Sequence, residues 1–177
     1  MISNFNRSLE AILKAEGGFT DDPRDPGNHL SDGRSGCTNM GVTQSAWEEY
    51  VGHKVSIADM KALTKEQVGK FYKSKYWDRV MGDALPIGID FLATSFAINA
   101  GVGSSAKLLQ KCINAVPDGM IGSRTLQTIA GVDGKELVEK FSEAKTHYYE
   151  TLKSFPTFGR GWINRVESEK AIALTMV

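Results

Sequence analysis

Residues 3–18 read SNFNRSLEAILKAEGG, and this stretch predicts the first helix of the protein. Ser3 or Asn4 is suited to cap its start, because a short polar side chain satisfies the free backbone amides there. Two consecutive glycines end the helix after Ala15 or Glu16, since glycine adopts the backbone conformation that stops a helix. The opening of the chain therefore predicts a short, well-bounded helix that ends on a carboxylic acid.

Glu16 falls on the apolar face of this helix. At 3.6 residues per turn, one narrow face carries four apolar side chains: Phe5, Leu9, Ile12 and Leu13. Burial and the negative end of the helix dipole both disfavour a charged carboxylate, so the pattern predicts a raised pKa for Glu16. A carboxylic acid that stays protonated near neutral pH is what general-acid catalysis needs. The alternative is a surface glutamate at a frayed helix end.

Residues 19–43 differ from the helix before them. They are rich in Asp, Pro, Gly, Asn and Ser, which favours turns with room for a small hairpin. Within this loop, Asp25 and Thr38 could position a water molecule on one side of a glycosidic bond while Glu16 protonates the leaving oxygen. Plain turn chemistry is the alternative for Asp25 and the preferred interpretation of Asp21 and Asp22.

The rest of the chain is predicted to be almost entirely helical. Helices are expected over residues 44–51, 64–77, 86–100, 105–115, 123–130, 133–154 and 160–175. Thr64 with Gln67, and Asp133 with Glu136, form capping-box patterns at two of the starts. The predicted fold class is mainly α, with one irregular or β-hairpin loop region after the first helix.

Composition narrows the possible partners. The chain has 177 residues, with 21 basic and 21 acidic side chains, so no overall field favours nucleic acid. Its longest apolar region, residues 87–102, is too short and polar to insert into a membrane. The N-terminus does not look like a secretory signal, so we expect synthesis in a cytoplasm. We also expect a monomer.

Cysteines and histidines give little sign of a metal or redox site. Cys37 and Cys112 lie far apart in the sequence, and we expect free thiols. The three histidines lack the spacing of known metal motifs, so no metal and no cofactor are predicted. A metal site formed by His29, Cys37 and His53 is the alternative.

Four motifs, EGGFTDDPRDPG, TNMGVTQ, DGMIGSRTL and FGRGWINRV, run through nearly the whole chain. Together they resemble the phage and bacterial muramidases of glycoside hydrolase family 108. The resemblance implies a lysozyme-like helical fold and makes Glu16 the catalytic acid. The arrangement also resembles the Glu, Asp, Thr trio of phage-type lysozymes, which implies that Asp25 and Thr38, with Thr43 as the alternative to Thr38, complete the catalytic group.

The same resemblance implies peptidoglycan as the partner and two lobes in one globular unit. Residues 1–83 would form the catalytic lobe and residues 84–177 a peptidoglycan-binding-like lobe. We predict four side chains that contact substrate: Asn39, Thr43, Gln44 and Trp162. The turn DGMIG at 118–122 is either part of a wall-binding surface or a purely structural turn, and the glycines favour structure.

One segment departs from the family pattern. NHLSDGRSGC, residues 28–37, separates Asp-Pro-Gly from Thr-Asn, which usually lie closer together. The insertion is predicted to form a mobile lip over the cleft, and it leaves the position of Asp25 relative to Thr38 open.

The activity implied is cleavage of the glycan strand between N-acetylmuramic acid and N-acetylglucosamine, as in a phage endolysin that causes host lysis. Three alternatives stay open. One is a lytic transglycosylase, which needs only one acid. The others are a metal-dependent amidase or peptidase acting on the stem peptide, and a catalytically silent wall-binding module.

Overall fold

The computed structural model describes residues 4–177, except for the side chain of Pro26. The helices are α1 (Asn4–Glu16), α2 (Gln44–Val51), α3 (Ile57–Lys61), α4 (Lys65–Tyr72), α5 (Ile89–Ala100), α6 (Val102–Cys112), α7 (Ser123–Ile129), α8 (Gly134–Glu150) and α9 (Phe155–Leu174). Two short strands, β1 (Thr38–Asn39) and β2 (Val42–Thr43), form an antiparallel hairpin. The protein is mainly α, as predicted.

The chain forms two compact units. The N-terminal unit is Leu9–Ser74, and the C-terminal unit is Lys75–Val177 together with the described residues up to Ser8. The division of the chain into a catalytic lobe (residues 1–83) and a peptidoglycan-binding-like lobe (residues 84–177) stays a prediction.

The N-terminal unit packs α2–α4 and the hairpin around a small apolar core. Its most buried apolar side chains are Ile12, Val42, Trp47, Met60, Val68, Phe71 and Tyr72. The helix starts follow their sequence signals, since Thr64 and Gln67 form the predicted capping box of α4. α2 ends at Gly52, whose positive φ of 80° closes the helix as expected.

The C-terminal unit is built around α5. Every residue from Ile89 to Ala97 is buried, because α6, α8 and α9 all pack against this helix. Such all-round burial explains why α5 is mostly apolar and has no exposed polar face over these residues. Asp133 caps α8 by accepting a hydrogen bond from the backbone amide of Glu136.

Two details of the helices differ from the expectations. The short α3 follows a Ser56–Asp59 capping box that the sequence analysis did not single out. α9 begins at Phe155, where a helix was expected from Arg160, because Pro156 suits the first turn of a helix. Ser3, one of two capping residues predicted for α1, lies outside the described residues.

The 28–37 insertion is tied down by ion pairs. Arg34 donates to both carboxylate oxygens of Glu48 on α2, at 3.0 and 2.7 Å, and also pairs with Asp32 at 2.8 Å. This guanidinium is the main reason that the pKa of Glu48 falls to about 2. Leu30 and Cys37 are buried beneath the loop. These contacts favour an anchored loop over the mobile lip that we predicted.

Both cysteines are free thiols, as predicted. Cys37 is fully buried, and its thiol donates to Gln44 Oε1 at 3.5 Å. Within residues 4–177, no helix is long and apolar enough to cross a bilayer.

Asp90 leads to a prediction about pH. This buried side chain accepts hydrogen bonds from the amides of Gly88 and Phe91, yet burial raises its pKa to about 6. An acid with a raised pKa destabilises the folded state as pH rises from about 4 to about 6, because only the unfolded chain releases the proton easily. We expect Asp90→Asn to stabilise the protein at pH 7.5 by about 2–3 kcal/mol.

The measurement is urea unfolding of both proteins at pH 7.5 and at pH 4.5. The advantage of the Asn variant should shrink toward zero at the lower pH, where Asp90 is itself mostly neutral. Equal stabilities at pH 7.5 would show that the buried carboxylate carries no charge penalty.

Candidate active site

Glu16 is the last residue of α1, and its side chain is half-buried. Gly17 follows with a positive φ of 79°, so the chain leaves the helix sharply. The glutamate therefore lies at a fixed corner of the N-terminal unit, where the helix meets the loop.

The tip of the β1–β2 hairpin packs against the Glu16 side chain. Met40 and Gly41 form the two-residue turn, with positive φ values of 49° and 78°. This backbone twist is the one favoured in tight hairpins, and it explains the glycine. A Cβ atom placed on Gly41 would lie 2.8 Å from Glu16 Cβ and 3.0 Å from Glu16 Cγ. The turn thus supports the stem of the acid.

Tyr72 holds this turn from the other side. Its ring is buried in the N-terminal core, and its hydroxyl donates to the carbonyl of Met40 at 3.0 Å. A Cβ on Gly41 would come within 2.5 Å of the same hydroxyl oxygen. Sequence analysis missed Tyr72, since nothing local links it to a turn 32 residues earlier.

Thr38 and Thr43 face each other as partners across the hairpin. The hydroxyl of Thr38 donates to Asn28 Oδ1 at 3.0 Å, and its backbone pairs with Thr20. The hydroxyl of Thr43 accepts from the amide of Ala46 at 3.3 Å and caps α2. Both threonines are partly accessible, so either hydroxyl could take part in binding.

Asp25 lies in a turn beside the hairpin. Its Oδ1 accepts a hydrogen bond from the amide of Gly27 at 2.8 Å. A Cβ on Gly27 would lie 3.2 Å from Thr43 Cγ2 and 3.3 Å from Asp25 Oδ1, so these two side chains flank the glycine. The hairpin therefore links three of the predicted groups directly: Glu16 at its tip, with Thr38 and Thr43 at its base. Asp25 lies next to Thr43.

Asn39 and Gln44, predicted to contact substrate, have buried side chains that bind the framework. Asn39 Nδ2 donates to the carbonyl of Met60 at 2.8 Å. Gln44 Nε2 donates to the carbonyl of Val55 at 2.8 Å and to Glu48 at 3.2 Å. Contact with a sugar would require these bonds to break, so we assign both side chains to holding the hairpin and α2 in place.

Trp162 belongs to the C-terminal unit, whereas the other predicted site residues belong to the N-terminal unit. Its half-buried indole packs among three aromatic rings, those of Tyr149, Phe155 and Phe158. Phe158 is 57% exposed, so this cluster presents an aromatic surface to solvent. Its role in substrate binding stays a prediction.

The Asp-Gly turn at 118–122 is organised by one buried glutamine. Gln110 Nε2 donates to Asp118 Oδ1 at 2.7 Å, and Gln110 Oε1 accepts from the amide of Gly119 at 3.0 Å. Gln110 Nε2 also donates to the hydroxyl of Thr125 at 3.2 Å. These bonds give the spacing of the motif a structural reason, which is the interpretation that the sequence favoured.

The histidines and Cys37 do not converge in the described part of the chain. His29 Nε2 lies 2.8 Å from the carbonyl of Pro23, and His53 Nδ1 lies 3.1 Å from the carbonyl of Lys54. No group of three or more metal-binding side chains occurs among residues 4–177.

We expect Gly41→Ala to lower turnover on peptidoglycan, the substrate expected from the sequence, by about a hundredfold, because a displacement of the predicted acid Glu16 by about 1 Å has an effect of that size. The added methyl group would push against Glu16 Cβ and the Tyr72 hydroxyl. The measurement is kcat and KM on purified walls, together with thermal unfolding.

Gly52→Ala is the matched control. Gly52 has nearly the same φ, 80°, but a Cβ there meets nothing within 4 Å. Both variants carry similar backbone strain, and only Gly41→Ala adds a steric clash, so only that variant should lose turnover. Equal turnover in the two would mean that the hairpin tip does not position the acid.

Glu16 and Asp25 thus provide two carboxyl groups beside one hairpin, and a pair of carboxyl groups is what glycoside hydrolysis usually requires. The family model for glycosyl hydrolase 108 matches residues 9–101, more than half of the chain, and a predicted peptidoglycan domain matches residues 104–167. The chain therefore belongs to the glycosyl hydrolase 108 family.

A solved structure supports the same assignment. SagA from Brucella abortus is 35% identical, with a TM-score of 0.83, over 97% of this chain and 94% of that one. No curated protein matches the chain. The family and the second domain together identify a peptidoglycan hydrolase of the glycosidase class.

Proposed function

We propose that the protein is an N-acetylmuramidase that hydrolyses the bond from N-acetylmuramic acid to N-acetylglucosamine, with Glu16 as the general acid. The observation that carries the proposal is the packing of the Glu16 stem against the tip of the β1–β2 hairpin. A general acid must be held beside the leaving oxygen, and a side chain supported by a tight turn meets that requirement.

Asp25 and Thr38 are assigned to the water molecule, with Thr43 as the alternative to Thr38. Glycoside hydrolysis by this route needs a second carboxylate on the opposite side of the sugar ring. That carboxylate activates the attacking water or stabilises the positive charge that develops on the sugar. Asp25 is the carboxylate in the turn beside Thr43, and Thr38 is paired with Thr43 in the hairpin. A threonine hydroxyl near the carboxylate would orient the attacking water.

The competing function is a lytic transglycosylase, in which the sugar itself closes the ring and no water is used. Its products carry 1,6-anhydro ends and weigh one water molecule less than hydrolysis products. An amidase acting on the stem peptide would release peptides and leave the glycan intact.

Digestion of purified walls in EDTA, followed by mass spectrometry, separates these functions. We expect disaccharide–peptide fragments that have gained one water molecule for each glycan cut, with the amide bonds intact. Fragments with 1,6-anhydro ends would show that the enzyme is a lytic transglycosylase and not a hydrolase. Release of free stem peptides in a digest without EDTA, and no release in EDTA, would replace the glycosidase by a metallo-amidase. If the protein binds the walls but releases no fragments, the remaining interpretation is a catalytically silent wall-binding module.

We further propose that the protein is a monomeric phage endolysin, made in the host cytoplasm and released to the wall through membrane lesions. The proposal follows from the resemblance of its motifs to phage muramidases. Expression in a bacterial host tests it, with and without a separate pore-forming protein. Lysis only when both are present is expected, and lysis by this chain alone would contradict the release route.

A further inference from the structure

A groove of about 670 Å³ lies between α6 and α8, within the segment that matches the predicted peptidoglycan domain. Its size falls in the range of pockets that bind small ligands. Three of the side chains along it are apolar or aromatic: Leu108, Ala144 and Tyr148. The thiol of Cys112 also lines the groove, and burial raises the pKa of this thiol to about 11, so it is uncharged at neutral pH.

Two opposite charges line the groove on its two walls. Lys111 projects from α6 and Glu143 from α8, and both side chains are exposed. Within the part of the chain that the structure describes, neither forms an ion pair. Two other ionisable side chains on the groove differ, because Lys140 is paired with Glu136 at 2.6 Å and His147 lies 3.6 Å from Glu150. Lys111 and Glu143 are thus the charges available to a bound molecule.

The combination of an apolar lining with one free cation and one free anion suits a short zwitterionic peptide. A glycan strand without its peptides has no ammonium group to pair with Glu143. The stem peptide of peptidoglycan carries groups that match both sides of the groove. Its alanine methyl groups suit the apolar lining, its carboxylates suit Lys111, and the amino group of its diamino acid suits Glu143. Opposite charges placed on the two walls would also fix the direction in which such a peptide lies.

We propose that the groove between α6 and α8 binds the stem peptide of peptidoglycan, with Lys111 on a carboxylate and Glu143 on the amino group of the diamino acid. The site would hold the wall through its peptides while the glycan is cut elsewhere. The proposal rests on peptidoglycan as the substrate and does not depend on Glu16 as the acid.

The test is an NMR titration of the full chain with the free tetrapeptide L-Ala–D-Glu–diaminopimelate–D-Ala. We expect shifts at backbone amides of α6 and α8 near Lys111 and Glu143. Lys111→Glu should weaken binding by about tenfold, since it replaces an attraction by a repulsion. Lys135→Glu, the same charge change on an exposed part of α8 away from the groove, should change binding less than about twofold.

A kinetic measurement adds a second readout. Lys111→Glu should raise KM on intact walls without changing kcat, and should leave cleavage of peptide-free glycan strands unaffected. If the tetrapeptide fails to bind, shifts residues outside α6 and α8, or binds both charge variants equally, the proposal is wrong. The tetrapeptide contains no glycosidic bond, so its binding is measured separately from glycan cleavage. The proposed peptide site can therefore be wrong while the proposed muramidase activity is right, and the reverse.

Discussion

Replacing Glu16 by Gln is expected to lower turnover on purified peptidoglycan by about 10²- to 10⁴-fold, which is the range contributed by a positioned general acid. Gln has nearly the same shape and should keep the contact between the side-chain stem and Gly41. It has no proton to give to the leaving oxygen. The effect should therefore appear in kcat, with KM and the unfolding curve close to those of the wild type.

Glu10→Gln provides the control for this variant. Glu10 is an exposed residue of the same helix and undergoes the same chemical change. Its turnover should equal that of the wild type. A folded Glu16→Gln protein that retains full activity would remove Glu16 from the mechanism, whatever the Glu10 variant does.

Replacing Lys145 by Met is expected to destabilise the C-terminal unit by about 3–5 kcal/mol, because it leaves a buried carboxylate without its counter-charge. Lys145 on α8 donates to Glu169 on α9, and both side chains are almost completely buried. Ser95 on α5 donates to the other oxygen of Glu169 at 2.7 Å. The three residues therefore join three helices through one carboxylate.

Urea unfolding measures the loss of stability caused by Lys145→Met. Two further variants test whether that loss comes from the unpaired buried charge. Lys140→Met breaks an exposed pair with Glu136 and should cost at most about 1 kcal/mol. Lys145→Met combined with Glu169→Leu removes both charges and should recover most of the stability. A loss below 1 kcal/mol for Lys145→Met alone would mean that the pair is not a significant part of the fold.

Most of the helices were predictable from the sequence because their signals are local, although α3 was not predicted. Gly52 ends α2 and Thr64 starts α4, and both roles depend on residues within one turn. The hairpin was foreseen only as an option, since each of its strands has two residues. Strands this short show too little alternation for a pattern to form.

The candidate site was predicted only in part, because long-range contacts shape it. The position of Glu16 at the end of α1 follows from the two glycines after it. The support that Tyr72 gives to Met40 spans 32 residues and has no signature in the sequence. The hydrogen bond from Asn39 to the carbonyl of Met60 could not be predicted from the sequence for the same reason.

The anchoring of the insertion also depends on distant partners. Arg34 reaches Glu48, 14 residues along the chain, and a loop rich in Asp, Gly and Ser gives no hint of that pairing. The buried pair of Lys145 and Glu169 spans 24 residues. In each case the residue types were visible, but the partner could be identified only in the folded chain.

The central claim is that this protein cuts the glycan by hydrolysis at N-acetylmuramic acid. Its most direct test is borohydride reduction of the fragments released from purified walls, followed by identification of the sugar alcohol at their ends. We expect N-acetylmuramicitol from the wild type and about 10²- to 10⁴-fold less of it from the folded Glu16→Gln variant. N-acetylglucosaminitol, or unreduced anhydro ends with no sugar alcohol, would contradict it.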